Sequence, residues 1–508
     1  MTPHYRLILL LLGGCTTLGP NFTAPGWSGP ESWFNREPRA PVSQTVEAPI
    51  DPNWWTLFND PTLTALEQRV AEENIDVAIA ALRIDESRAQ YDSAVSAGVP
   101  DLNANASYAR QKASNVGTFA NAPNPLGASG ALGANPGALG SRKLSAFDVY
   151  QVGFDASWEL DLWGKIRRSV EAAGATARAS EEARRGVLLT NLAEVARDYI
   201  TLRGVQTELR IARDNVRIGQ DSLKLTRQRA EGGMTTTLDV ANAQAQLSTT
   251  LAQIPSLEQQ EAQLINAVSL LLGMPPNGLR AQLQTPRMVP PVPPRVPIGL
   301  PSELARRRPD VREAEAQLHA ATANIGVARA AFYPSVTLSG SVGLQATQLV
   351  PLFGLNARQF AAGPSVSVPI FENGHLKATL HLTEARQKEA ALSYQQIVLR
   401  ALHEVDNALT AYRSEQARRQ QLTDAVTQSR RALDLATQRY AQGVTDFLTV
   451  LDAQRTLLGN ELQLADSTTT VSNNLVVLYK ALGGGWESDL PEKPKSEGTK
   501  PAATGSKI

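Results

Sequence analysis

The chain contains itself twice. Ser222 to Leu247 (SLKLTRQRAEGGMTTTLDVANAQAQL) aligns without a gap on Ala432 to Leu457 (ALDLATQRYAQGVTDFLTVLDAQRTL) at an offset of 210, with 11 identities in 26 positions, where average composition would give about two by chance. The same offset superposes Gly153 and Gly164 on Gly363 and Gly374, and an offset of 234 superposes Pro100 on Pro334. Length alone would suggest roughly three domains. A duplication covering nearly all of the 508 residues predicts instead two equivalent halves packed side by side.

Each half is mostly helix. Between Gly374 and Gly443 lie 68 residues with neither Gly nor Pro, rich in Ala, Leu, Gln, Arg and Glu, all good helix formers. At a rise of ~1.5 Å per residue they predict one helix of roughly 100 Å. Leu402, Val405, Leu409 and Tyr412 recur at 3-4-3 spacing, and Leu192, Val195, Tyr199 and Leu202 repeat that phase in the first half. Both segments therefore want coiled-coil neighbours. Each long helix stops at a glycine turn, Gly232-Gly233 or Gly443, suited to a left-handed C-cap, and a shorter helix follows. Further helices are expected at about 61–97 and 301–331.

A different period interrupts the helices. Leu102 to Tyr108 (LNANASY), Val152 to Glu159 (VGFDASWE), Val336 to Val342 (VTLSGSV) and Val366 to Val368 alternate apolar and polar residues. Period two predicts strands with one greasy and one wet face. A soluble sandwich would explain that pattern, but the wet faces carry mostly small neutral groups and the strands have the length of tilted transmembrane strands. No stretch beyond the start approaches the roughly 20 apolar residues of a spanning helix, so a membrane crossing would be made by strands. Four strands cannot close, and open edges do not survive in lipid, so closure needs other copies. Two copies give eight strands and three give twelve; nothing in these spacings chooses.

Charge and cysteine usage narrow the classes. The formal net charge is zero, which removes the electrostatic footprint of a nucleic-acid partner. The single cysteine, Cys15, excludes an intrachain disulfide and a cysteine zinc cluster. It ends Leu12-Gly13-Gly14-Cys15 behind the apolar run Leu7 to Leu12, a pattern that resembles the lipobox at which bacterial lipoproteins are cut and acylated. The next residue, Thr16, is not the Asp that retains lipoproteins at the inner membrane, so outer-membrane sorting is expected.

Five motifs in order, WWTLFNDPTL at Trp54 to Leu63, WELDLWGKIRR at Trp158 to Arg168, ELARRRPDVREAEAQL at Glu303 to Leu318, LTVLDAQR at Leu448 to Arg455 and LGGGW at Leu482 to Trp486, resemble the outer-membrane factor family. These are the TolC-like and OprM-like ducts of tripartite efflux pumps, and the likeness is to the NodT-type lipoprotein branch. The resemblance runs from about Pro20 to Trp486. It implies an α+β membrane protein: a homotrimeric 12-stranded transmembrane β-barrel, four strands per subunit, continued by a long periplasmic α-helical coiled-coil barrel. It also implies partners, namely a periplasmic adaptor and an inner-membrane transporter of the resistance-nodulation-division class, together with outer-membrane lipid. The expected location is the outer membrane, lipid-anchored and reaching into the periplasm. No catalysis is implied, and no cofactor beyond a covalent lipid on Cys15.

The implied layout is a lipoprotein signal peptide at 1–14, an N-terminal belt segment at 15–60, a first repeat at 61–272, a proline-rich belt linker at 273–300, a second repeat at 301–482 and a disordered tail at 483–508. Strands are expected at about 99–112, 146–160, 334–345 and 359–371, long helices at about 165–231 and 375–441, and short helices at about 236–272 and 446–482.

The family's closed periplasmic entrance maps onto this chain residue by residue. Leu448, Asp452 and Arg455 match the constricting leucine, aspartate and arginine of OprM-like members. Asp239 and Tyr440 match a pair that ties inner to outer helices in TolC-like members. Two positions depart: Thr449 stands where TolC-like channels have a first aspartate ring, and Thr445 where they have a basic latch residue.

Other readings of these residues are ordinary. Asp452 and Arg455, three apart, would by themselves be an exposed helix pair. His375, His381 and Glu384 make no metal-ligand spacing, Gly232-Gly233-Met234 lacks the Lys-Ser/Thr of a phosphate loop, and Arg306-Arg307-Arg308 reads as a helix start with ion pairs. A lipid-anchored coiled-coil scaffold would account for the helices but not the strands, and a barrel enzyme would need a polar cluster that is not seen.

Overall fold

The computed structural model describes residues 17–26, 29–30, 32–33, 43–112 and 146–487. Cys15, the segment 113–145 and the tail from 488 lie outside them. In chain order the main elements are β1 (Gln44–Val46), α1 (Pro61–Glu73), α2 (Ile75–Ser96), β2 (Asp101–Gln111), β3 (Phe147–Leu160), α3 (Lys165–Glu231), α4 (Thr237–Leu271), β4 (Arg295–Pro297), α5 (Pro309–Ala330), β5 (Ser335–Ala346), β6 (Arg358–Ser367), α6 (His375–Ala441) and α7 (Phe447–Leu482). The two long helices, α3 and α6, are both 67 residues and begin 210 positions apart. The described residues form two compact units: those within 17–22, 88–174 and 319–387 in one, the remaining described residues in the other.

The first unit holds a four-stranded antiparallel sheet in the order β2-β3-β5-β6. The register carries the period-two pattern across the sheet. Ala104 lies opposite Phe154, Phe154 opposite Val342 and Val342 opposite Phe360, while Leu102, Ala156, Gly340 and Ala362 form the next row of the same face. The other face aligns Asn103, Asp155, Ser341 and Ala361, then Asn105, Gly153, Gly343 and Gln359. One face is therefore apolar and the other mostly small and polar, and β2 and β6 are left as edges. Aromatic rings sit near both ends: Tyr108 against Tyr150 at 5.0 Å, and Trp163 against Tyr333 at 4.9 Å.

At the corners from strand to helix, Gly164 and Gly374 have φ of +79° and +81°, the left-handed region where a side chain would be strained. These are the glycines that superpose at offset 210. Residues 17–22 lie on this unit, held by the buried Arg168, which donates to the Leu18 carbonyl at 3.1 Å and to Asn21 at 2.6 Å.

The second unit is a helical body. Its main core gathers Trp54, Phe58, Leu63, Leu66, Leu192, Val195, Tyr199, Leu202, Val405, Leu409, Tyr412, Leu475 and Tyr479. The 3-4-3 positions of both halves thus meet in one core, and the N-terminal motif inserts there, with Trp54 stacked on Tyr479 at 5.5 Å. Asp60 caps α1 and accepts from the Tyr199 hydroxyl at 2.7 Å. A short parallel pair, β1 with β4, joins the N-terminal segment to the proline-rich linker, an element the aperiodic sequence there gives no sign of.

Four expected boundaries change. The helix expected at 61–97 breaks at Asn74, whose backbone is extended and whose carboxamide oxygen caps α2 by accepting from the Val77 amide at 3.0 Å; Asn favours such a cap over a helix interior. The helix expected at 301–331 breaks at Arg308, which is extended because Pro309 follows it. Strand β6 stops at Ser367, short of 371, opposite Ser335, the first residue of its partner β5. Residues 483–486, expected in a disordered tail, are packed: Gly483 is a left-handed cap of α7, and Trp486 lies between the guanidinium groups of Arg185 and Arg312, at 4.8 and 5.2 Å.

Candidate functional site

The helical hairpins α3–α4 and α6–α7 end in two turns built alike. At the first, the Gly233 amide donates to the Ala230 carbonyl and the Met234 amide to that of Arg229; at the second, Gly443 donates to Tyr440 and Val444 to Arg439. Gly233 and Gly443 have φ of +67° and +76°, the left-handed C-cap that ends each long helix. The next helix starts on a side-chain cap. Thr236 and Asp239 form a capping box for α4, while the Asp446 carboxylate accepts from the Thr449 amide at 3.1 Å to start α7. The Thr449 hydroxyl, then its amide, hold the Asp446 carboxyl below its ordinary value.

Behind the turns is a compact apolar cluster of Leu223, Ala243, Leu247, Val426, Leu433, Ala436, Tyr440, Phe447, Val450, Leu451 and Leu457. Because α7 buries Phe447, Val450, Leu451, Gln454, Leu457 and Leu458 on one side, Leu448, Asp452 and Arg455 at i, i+4 and i+7 form an exposed stripe on the other. Leu448 is 55% exposed, and its repeat equivalent Leu238 on α4 is 66% exposed. Below Leu238 the first half places Asn242 and Ala245 where the second has Asp452 and Arg455. The acidic group is therefore present once per chain.

The structure separates some residues that the sequence places together. Arg455 donates from Nε to Gln246 of α4 at 2.7 Å and forms no ion pair with Asp452, which has no ionic or hydrogen-bonded partner among the described residues. Asp239 is engaged within its own turn, by the Thr235 and Thr236 hydroxyls and the Thr236 amide. Tyr440, 3% exposed, packs against Phe447 at 5.6 Å, and its hydroxyl has no hydrogen-bond partner among the described residues. No hydrogen bond joins Asp239 to Tyr440. Thr445 and Thr449, the departures from the family pattern, bond to each other at 3.1 Å in the α7 cap. Cys15 lies outside the described residues. Arg308 is a buried hub that donates to the Ala481 carbonyl, Asp310 and Glu404. Among the described residues no group of His, Cys, Asp and Glu could hold a metal ion, and no helix is long and apolar enough to cross a membrane.

Two residues at these turns escape a reading by motif. Leu238 could have been found by applying the offset of 210 to Leu448. Arg229 could not, because its partners are main-chain carbonyls of the other hairpin: it donates to Tyr440 at 2.7 Å and Ala441 at 3.0 Å.

A family model for outer membrane efflux proteins matches residues 66–274 and 300–484. The chain belongs to that family. Among its relatives, the probable outer membrane lipoprotein SilC of Salmonella typhimurium is 31% identical over 491 residues, covering 94% of this chain and 97% of that one. The outer membrane protein OprJ of Pseudomonas aeruginosa is 33% identical over 483 residues, 95% of each chain. The solved outer-membrane channel OprN superposes with a TM-score of 0.82 at 33% identity, over 93% of this chain and all of that one. This efflux protein thus has the fold of an outer-membrane channel, in a family of channel proteins and not of enzymes.

Proposed function

We propose that this efflux protein is the outer-membrane exit duct of a tripartite system, passively conducting drugs or other toxic small molecules to the exterior. In this reading three copies close their sheets into a 12-stranded transmembrane barrel, and their helices continue it as a coiled-coil barrel into the periplasm. An inner-membrane transporter of the resistance-nodulation-division class loads the duct through a periplasmic adaptor. Cys15 carries the lipid anchor, and the duct does no chemistry. The observation that carries the reading is the sheet with one apolar and one small polar face and two unpaired edges. In lipid such edges must be closed, and the polar face then lines a channel.

The periplasmic gate in this reading is formed by the turn region, with Leu448, Asp452 and Arg455 facing the axis and Asp239 and Tyr440 beside them. Three copies of Leu448 make an apolar collar that resists wetting, and three Asp452 carboxylates make one acidic ring that favours cations. Arg455 is drawn to Gln246, so the ring keeps its charge. Opening is an iris-like shift of the hairpins, driven by an adaptor that binds the open form more tightly.

Leu448→Ala combined with Asp452→Ala should raise single-channel conductance in planar bilayers and sensitise cells to vancomycin, which is too bulky for a closed outer membrane. Asp452→Ala alone should lower cation selectivity. A double variant that conducts like the parent at equal channel number places the constriction elsewhere.

A further inference from the structure

The family's basic latch position is Thr445 here, and Thr445 bonds only within its own cap. If the tips are to be held closed, some other group must hold them. Among the described residues, the polar bridges between the hairpins nearest the turns are Arg229 to the end of α6, Gln454 of α7 to Ser222 of α3, and Arg455 of α7 to Gln246 of α4. The last two join side chains along the helices. The first lies at the turn itself, and its acceptors are the main-chain carbonyls of Tyr440 and Ala441.

Those carbonyls belong to the last turn of α6, where the helix dipole places partial negative charge; that of Tyr440 also accepts from the Gly443 amide, so Arg229 adds a second bond there. A guanidinium is suited to that end, since one nitrogen, Nη1, donates both charge-assisted bonds while the planar face is left to stack. Arg229 also stacks on the Tyr440 ring, its carbon 4.7 Å from the centroid. Tyr440 is buried and also packs against Phe447, the first residue of α7. One side chain at the end of α3 therefore grips the end of α6, and through Tyr440 the start of α7. Among the described residues Arg229 has no carboxylate partner, so nothing competes for its charge. Its repeat equivalent Arg439, at offset 210, is exposed and makes no such bond. The arrangement is not a by-product of the duplication.

We infer that Arg229 is the tip latch of this channel, a positioning residue that holds the α6–α7 turn against the α3–α4 turn and must release before the hairpins part. The inference rests on the gate reading above and assigns it a restraint outside the constriction. Because the acceptors are backbone atoms, substituting Tyr440 removes the stack and leaves the bonds; only Arg229 itself removes both.

The test is Arg229→Ala in the full-length protein, recorded in potassium chloride across planar bilayers and scored for vancomycin sensitivity in cells. Arg439→Ala serves as the surface control. Loss of the latch should shift the closed-to-open ratio by about tenfold, equivalent to ~1.4 kcal/mol, while Arg439→Ala matches the parent. Arg229→Lys should fall between, keeping the charge but not the planar stack. If Arg229→Ala fails to assemble, Arg229→Gln reads the same contrast. An Arg229→Ala channel that gates like the parent and only melts earlier overturns the latch and leaves Arg229 as a helix cap. The Leu448→Ala, Asp452→Ala channel, run beside it, separates the two failures: if it opens and Arg229→Ala does not, the gate stands without this latch; if neither opens, the gate reading falls too.

Discussion

Glu67 is the residue a pattern reading would place wrongly. It lies on α1 among Leu63, Leu66 and Val70, at i, i+3, i+4 and i+7 of one face, and it is completely buried with no hydrogen-bond partner for either carboxylate oxygen. Burial pushes its carboxyl well above the ordinary range, so folding favours its neutral form. Unfolded, it ionises at the usual carboxylate value. The stability this group contributes is therefore full below that value and is lost as pH rises toward the raised folded one. Glu67→Leu should remove the penalty, stabilising the protein by about 1–3 kcal/mol at about pH 8 and by less at about pH 5. Chemical denaturation of detergent-extracted protein at both pH values reads this, and an equal gain at both would mean that Glu67 is not the titrating group. The exposed stripe of α7 proposed to form the gate was legible for the opposite reason. Leu448, Asp452 and Arg455 follow a motif and a helical period, whereas Arg229 acts on carbonyls that no sequence pattern marks.

At the scale of elements, repetition made the long helices readable. Both were expected within a residue of where α3 and α6 lie, because a glycine at each end and 3-4-3 apolar spacing between leave few alternatives. What periodicity missed were interruptions set by one residue's polar chemistry: Asn74, whose side chain caps α2 and also donates to the Leu271 carbonyl at 2.7 Å, and Pro309. The parallel pair of β1 with β4 was illegible because three-residue strands have no period to read. In the sheet, alternation assigns Phe360, 86% exposed, to the apolar face and Ser365 to the polar one. Phe360→Arg should then cost roughly 2–4 kcal/mol if it meets the lipid midplane, less nearer an interface. Ser365→Arg should be tolerated, since its side chain would reach water in the lumen. The yield of heat-modifiable channel in outer-membrane fractions compares the two, and equal yields would contradict the face assignment.

For the whole molecule, the duplication and the sheet have to be reconciled. Each half supplies two strands, and β3 of the first half pairs with β5 of the second through eleven residues, Tyr150–Leu160 against Val336–Ala346. The halves are thus sealed to each other at the centre of the sheet, and among the described residues β2 and β6 have no further strand partner at its two sides. One copy cannot join those edges to each other without abandoning the twist and tilt that barrel closure requires, and an eight-strand closure would leave a lumen filled by side chains. Twelve strands from three copies satisfy every edge and leave a passage. Detergent-extracted protein should therefore have the native mass of three chains, with no folded single chain on dilution. A stable monomer by native mass measurement would sink the closure argument. In the proposed duct a lipid on Cys15 would be a second and weaker hold, because one residue's acyl chains are slight beside a barrel whose whole apolar face would meet the membrane. Cys15→Ser should abolish incorporation of labelled palmitate while trimers still assemble at reduced yield. Label retained in that variant would place acylation elsewhere, and complete loss of trimers would mean that the anchor is needed to bring the strand edges together.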